Sequence, residues 1–308
     1  MAQGGWVLGE RRGPVRWRVA GRLDARLPEI RGRDRVVGWV RGPADRYGGP
    51  LAGRLANGMA FDVDSCRDGS ARALSALRYR APALAPVFEA VLRPGDTCYD
   101  IGANIGVYTL WAAGLVGPSG QVHAFEPVPP TMAVLREMVR RNGLDQVVLV
   151  ACAVGATAGL IGLRSYQDAS ARAHAVADPR RADHLAPLET LDAYTARHRP
   201  PDLIKIDVEG AEIDVLRGAA QVLEDRAPAL LVDMLPSRLA RHGGSPGHEE
   251  FVGRLLDAGY ILFNLSPRGL APSGPFTSNV LALAPRWDRF DQVVATLARV
   301  PFPRNQST

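Results

Sequence analysis

The sequence predicts an α/β fold: a seven-stranded, mostly parallel sheet with an antiparallel C-terminal hairpin, preceded by an N-terminal extension. Three observations carry this. From Thr97 onward, short β-type runs alternate with helical patterns. A Gly-rich turn, GANIG at 102–106, joins the first of these runs to its helix. The last two runs, 260–265 and 279–284, follow one another across a stretch rich in Pro and Gly with no helix between them. Strand–helix alternation calls for a parallel sheet covered on both faces, a Rossmann-like arrangement, and the helix-free ending calls for an antiparallel hairpin at one edge.

Taken in order, residues 1–69 are rich in Gly and Arg with short apolar runs, and 70–92 look helical, with Pro82 and Pro86 starting or kinking a turn. Strands are expected at 97–101, 121–126, 147–152, 202–208 and 229–235, then at 260–265 and 279–284. Helices are expected at 105–116, 130–142, 211–223 and 248–258, with Pro118, Gly120, Gly143, Pro228 and Gly259 at the joints. Gly159–Tyr166 reads as a short strand, and 167–185, rich in Ala, Arg, Asp and His, as a loop or lid.

With 308 residues, 46% apolar and 22% charged, the chain has material for a sizeable core and is not globally disordered. The net charge of +5 is concentrated early: residues 1–46 hold eleven Arg against five acidic residues. That arm carries Trp6, Trp17 and Trp39 but no nucleic-acid-binding motif, so a solvated Arg-rich face is preferred to a nucleic-acid surface. Lys205 is the only lysine among 37 basic residues. Cys66, Cys98 and Cys152 are odd in number and lack metal-ligand spacing, and read as buried free thiols of a reducing compartment. With no signal-peptide apolar region and no run of eighteen apolar residues, a soluble cytoplasmic protein is expected.

The stretch CYDIGANIG at 98–106 is the most informative. A strand–loop–helix joint lies at the carboxyl end of the sheet, where open α/β folds bind ligands. Gly102 permits positive φ and close approach, Gly106 sits where the helix starts, and Asn104 can hydrogen-bond both ways across the turn. Asp100 would repel a pyrophosphate but suits an ammonium, and Glu126 follows Gly106 by twenty residues, the spacing of an acid that accepts from a ribose diol. An amino acid joined to a ribose is S-adenosylmethionine (SAM). The dinucleotide fingerprint G-x-G-x-x-G is absent.

DIGANIGVYTL, HAFEP and LIKIDVEGAEIDVLRGA (203–219) together resemble the FkbM-type SAM-dependent methyltransferases over roughly residues 95–235. The resemblance implies the seven-stranded methyltransferase sheet and O-methyl transfer to a small hydroxylated metabolite or sugar. Residues 93–308 then form the SAM-binding domain, and residues 1–92 a basic extension covering the acceptor side.

Lys205, Asp207 and Glu209 fall on one side of the fourth parallel strand. They read either as an ion-pair network ordering the turn or as an acceptor-side catalytic cluster. In the latter, Asp207 comes first and Glu209 second as the base that an alcohol nucleophile needs, with Lys205 tuning them or holding the substrate oxygen. Asp233 ends the next strand, so Asp207 and Asp233 are the carboxylates for a Mg²⁺, if one is used. His242, nine residues beyond Asp233, is the candidate to stand in for the His that the family pattern places near this strand. Glu212 and Asp214 read as ordinary helix-dipole residues, Thr190 as a helix cap, and His174, His184 and His198 as surface residues. Cys152–Gly155 is expected near an adenine. A SAM-binding scaffold without catalysis and a nucleic-acid methyltransferase are the alternative readings.

Overall fold

A computed structural model describes residues 7–8, 50–55, 57–64, 84–165, 173–176, 179–208, 210–233, 246–266, 268–271 and 279–302. Every sheet strand expected from the alternation is present within a residue or a few. The main sheet holds β4 (Thr97–Ile101), β5 (Gln121–Phe125), β6 (Val147–Val150), β11 (Leu203–Ile206), β12 (Ala229–Asp233), β13 (Ile261–Ser266), β14 (Gly269–Ala271) and β15 (Asn279–Leu283). Its order is β14-β13-β15-β12-β11-β4-β5-β6. The five strands β12 to β6 are parallel, whereas β15 is antiparallel to both β12 and β13. The seven expected strands are joined by an eighth, the short β14, which pairs antiparallel with β13, Ser266 opposite Gly269.

Helices cover both faces. On one lie α1 (Ala85–Val91), α2 (Val107–Val116), α3 (Pro129–Asn142) and α8 (Phe290–Leu297), and their buried side chains share a core with Cys98, Val122, Leu203, Leu231 and Leu281. On the other lie α4 (Leu191–Thr195), α5 (Glu212–Arg217), α6 (Ala220–Asp225) and α7 (Pro246–Asp257), and their side chains join Tyr99, Ile204, Leu230 and Ala282 in a second core. Strand residues thus alternate between two apolar layers, as a sheet buried on both sides requires.

Local chemistry explains the helix ends. In α3, Pro129 and Pro130 occupy the first turn, where a missing N–H costs nothing; Arg140 and Arg141 stand in the last turn; and Gly143 closes it at φ 60°. The helix expected over 211–223 is instead two, α5 and α6, broken at Gly218–Ala219. Gly218 lies against the Gly155 carbonyl, which a β-carbon would approach to 2.0 Å, and its own carbonyl accepts from the Asp192 N–H.

Residues 153–189 depart most from expectation. β7 (Ala153–Val154), β8 (Gly159–Ser165), β9 (Ala173–Val176) and β10 (His184–Glu189) form a second, four-stranded sheet in the order β7-β10-β8-β9. The short strand at 159–166 is thus present. The lid expected at 167–185 is corrected: β9 and the start of β10 fall inside it. Thr190 caps α4 as its position implied, accepting from the Ala193 N–H.

Near the N-terminus, β1 (Val7–Leu8), β2 (Pro50–Arg54) and β3 (Ala60–Asp64) make a three-stranded antiparallel sheet. It docks on α3 through one amide. Ala60 N–H donates to Asn142 Oδ1 at 2.6 Å, and Asn142 Nδ2 donates to the Ala60 carbonyl at 2.8 Å. Cys98 and Cys152 are buried free thiols, as expected, while Cys66 lies outside the described residues. Among the described residues, no helix is long and apolar enough to cross a membrane.

Candidate active site

The turn after β4 is shaped by three residues in the left-handed region: Gly102 at φ 79°, Asn104 at 53° and Gly106 at 93°. Asn104 tolerates this because its Oδ1 accepts the following N–H, that of Ile105, at 2.7 Å. The backbone so curved delivers the Asn104 N–H to Glu126 Oε2 at 3.0 Å, while the Val128 N–H reaches Oε1 at 2.8 Å. Glu126 is therefore fixed by backbone donors, one on each oxygen. Burial pushes its pKa up to about 7 against the lowering effect of those two donors. At Gly106, a β-carbon would meet the Leu135 side chain of α3 at 2.4 Å, so the glycine serves contact between neighbouring helices.

Asp100 is wholly enclosed. Thr109 Oγ1 donates to its Oδ2 at 2.7 Å, and Lys205 Nζ donates to its Oδ1 at 3.2 Å. The ammonium that Asp100 contacts is thus the protein's own. No part of the carboxyl faces solvent.

Lys205 holds the centre of the arrangement. In the parallel register it lies beside Asp100 on β4 and Leu231 on β12. Its Nζ is 3.6 Å from Asp207 Oδ2 and lies 4.9 Å from the centre of the Tyr108 ring. Burial alone would lower the Lys205 pKa, but Asp100 and Asp207 more than reverse that and hold it above the usual lysine range. Tyr108 in turn stacks on Phe88 of α1, ring centres 5.4 Å apart. Contacts therefore run from α1 through Tyr108 and Lys205 to Asp100 and Asp207.

β11 ends at Ile206, short of the expected 208, and Asp207 continues past it with its N–H bonded to the Ile101 carbonyl at 3.0 Å. The Asp207 side chain is 32% exposed, so of the two carboxylates within ion-pair distance of Lys205 it is the one that reaches the surface. Asp233, half-buried, ends the neighbouring β12. Glu209 and His242 lie outside the described residues. The structure thus brings together Asp100, Gly102, Asn104, Gly106, Glu126, Lys205 and Asp207, with Asp233 one strand over. His184 is half-buried on β10 of the second sheet, and His198 is exposed three residues after α4.

Three residues of the site escaped the sequence. Thr109 and Tyr108 sit in the first turn of α2, where nothing but their distance from the glycine turn marked them. Glu212, expected only as a helix-dipole residue, is 3% exposed; its Oε1 accepts the Gly210 N–H at 3.0 Å, and burial raises its pKa to about 7. The signal was present: Glu212 precedes Val215 and Leu216 by three and four residues, and both are buried, so it lies on the inward face of α5.

The model of the methyltransferase FkbM domain matches residues 100–262. That stretch covers more than half of the chain and contains the turn, Glu126, the Lys205–Asp207 strand end and Asp233. The chain belongs to the FkbM methyltransferase family. Within curated relatives, it is 37% identical over 128 residues to the 31-O-demethyl-FK506 methyltransferase FkbM of Streptomyces tacrolimicus, covering 40% of this chain and 47% of that enzyme. It is 25% identical over 177 residues to methyltransferase 1 of Beauveria bassiana, with 46% of this chain and 71% of the relative covered. The chain thus spans about half the length of the first of these relatives. The solved structure of an FkbM methyltransferase from Methylobacillus flagellatus superposes with a TM-score of 0.42 at 19% identity, over 70% of this chain and 55% of that one. In this FkbM family member the matched region runs from the end of β4 to the start of β13 and takes in the second sheet.

Proposed function

We propose that the protein is a SAM-dependent methyltransferase that methylates an oxygen of a small hydroxylated metabolite or sugar. The observation that carries this is Glu126: a buried carboxyl at the carboxyl end of the sheet, oriented by one backbone donor on each oxygen. Each oxygen retains a second lone pair, which suits the two hydroxyls of a ribose. The surroundings suit a cationic ligand, since Asp100, Asp207 and Asp233 outnumber Lys205. Glu126, the 102–106 turn and the field of Asp100 would hold SAM, which when bound supplies a methyl group activated by a positively charged sulfur.

The chain's own residues do the rest. Asp207, the exposed partner of Lys205, accepts the proton of the acceptor hydroxyl as that oxygen becomes a nucleophile. Lys205 fixes Asp207 from below, and Glu212 holds the turn that follows it by binding the Gly210 N–H. Glu209 remains the second candidate base. Residues 1–92 supply acceptor-side cover, a reading supported by Phe88, which stacks on the ring above Lys205. The methyl acceptor is a small molecule, in keeping with the FK506-type substrate in the name of the 37%-identical relative.

The test is calorimetric binding of S-adenosylhomocysteine to wild type, Glu126→Ala and Asp100→Ala. A loss of tenfold or more in Glu126→Ala is expected. Unchanged affinity in both variants would remove the proposal.

A further inference from the structure

Asp207 and Asp233 follow neighbouring parallel strands whose register pairs Ile206 with Val232. Two carboxylates so placed are what a hard divalent cation seeks. Among the described residues, though, no three of His, Cys, Asp and Glu gather closely enough to hold a metal. A different cation already stands there. Lys205 rises from the same sheet face, 3.6 Å from Asp207 and 3.2 Å from Asp100, with the charge of Asp233 also acting on it. The Tyr108 ring lies 4.9 Å from the same nitrogen. The side chain is 4% exposed, so this ammonium is fixed in place.

We infer that Lys205 is the resident cation of this site, standing where a divalent metal held by the two carboxylates Asp207 and Asp233 would otherwise sit. It is a positioning residue: it acts on the acceptor through Asp207. A divalent ion bridging Asp207 and Asp233 would be set against a fixed ammonium that the protein cannot withdraw. Residue type supports the assignment. Among 37 basic residues this is the only lysine. A compact tetrahedral ammonium meets acids arriving from several strands and an aromatic face at once, which the planar fork of arginine does not. The donors therefore do not fit a bound Mg²⁺ while Lys205 is present, and no catalytic step is routed through one.

The inference rests on the proposed function only in taking Asp207 as the acceptor-side acid. Its test needs no turnover. Mn²⁺ binding, followed by electron paramagnetic resonance, is compared in wild type, Lys205→Met and Lys205→Gln. Wild type is expected to show no Mn²⁺ site sensitive to Asp233→Asn. Each neutral variant is expected to gain one site at least tenfold tighter than any in wild type, and to lose it when Asp233→Asn is added. A wild-type site abolished by Asp233→Asn overturns the inference, and so does a folded neutral variant that gains none. Should neither neutral variant fold, wild type decides through its single side-chain ammonium signal after ¹⁵N-lysine labelling. A signal unaffected by Mn²⁺ supports the inference, and one broadened in a manner abolished by Asp233→Asn overturns it. Loss of S-adenosylhomocysteine binding on Glu126→Ala is a separate readout, so failure of either idea is recognisable on its own.

Discussion

Gly102 and Asp207 meet backbone to backbone. A β-carbon at 102 would come within 1.9 Å of the Asp207 carbonyl oxygen, and the φ of 79° is one that L side chains rarely adopt. The Asp207 N–H also donates to the Ile101 carbonyl. The turn that shapes the proposed cofactor side and the strand end that presents the proposed base are thus one interlocked piece.

Gly102→Ala is therefore expected to destabilise the fold by about 3 kcal/mol or more, since the clash is with backbone, which has no rotamer to yield. Thermal or urea unfolding measures it. Gly143→Ala is the control: it shares a positive φ but has nothing within 4 Å of the added carbon, so about 1 kcal/mol is expected.

The Glu126 pKa of about 7 carries a pH signature. Ribose hydroxyls donate to the ionised carboxylate, so S-adenosylhomocysteine affinity is expected to rise as pH increases toward 7 and then level off. Below 7 the loss approaches tenfold per unit. Glu126→Gln should flatten this profile, and calorimetry between pH 5.5 and 8.5 reads it.

Stability shows opposing trends. His123 is buried, hydrogen-bonded through Nδ1 to the Tyr194 hydroxyl at 2.7 Å, and its pKa is lowered from 6.5 to about 4 by burial and by His198. The unfolded chain takes up this proton first, so stability is lost as pH falls from 6.5 to 4, by at most about 1.4 kcal/mol per unit. Glu126 and Glu212 act with the opposite sign. Their raised folded pKa values mean that stability is lost as pH rises from 4.5 to about 7. Comparing unfolding free energies of wild type and His123→Gln across pH 4–7 isolates the histidine contribution.

Arg289 on the N-terminal flank of α8 reaches across the floor of the sheet. It donates to both oxygens of Asp96 and to the Val91 carbonyl, and pairs with Asp202 at 3.6 Å. Arg289→Ala leaves Asp96, itself 9% exposed, without its cation. A loss of about 2–3 kcal/mol is expected, and Arg289→Lys recovers little because the bidentate geometry is gone. Chemical denaturation tests both variants.

The five parallel strands were legible because each is a short apolar run bounded by Gly, Pro or a charge, and four of them are largely buried, with only the edge strand β6 partly open. The turn and Glu126 were legible because the glycine pattern and the distance between them are written along the chain. Of the second sheet only β8 was legible: residues 167–185 carry the composition of a loop, and β10 is ordered by strand pairing with β8 and β7, which no local pattern announces. The partners of Asp100 were equally hidden. Lys205 follows it by 105 positions, and only the β11–β4 register brings the two together. The break in the helix after residue 217 depends on a carbonyl at Gly155, again a contact without sequence proximity.

β15, the last strand of the main sheet to be synthesised, is not at its margin. It lies between β12 and β13, bonded to both. On the ribosome the growing chain cannot zip this region in order of emergence: β13 and β14 must wait, paired with each other, until β15 arrives to bridge them to the parallel strands. A nascent chain stalled before residue 279 would then carry two unjoined sheet margins, each offering open backbone to a neighbouring ribosome's product.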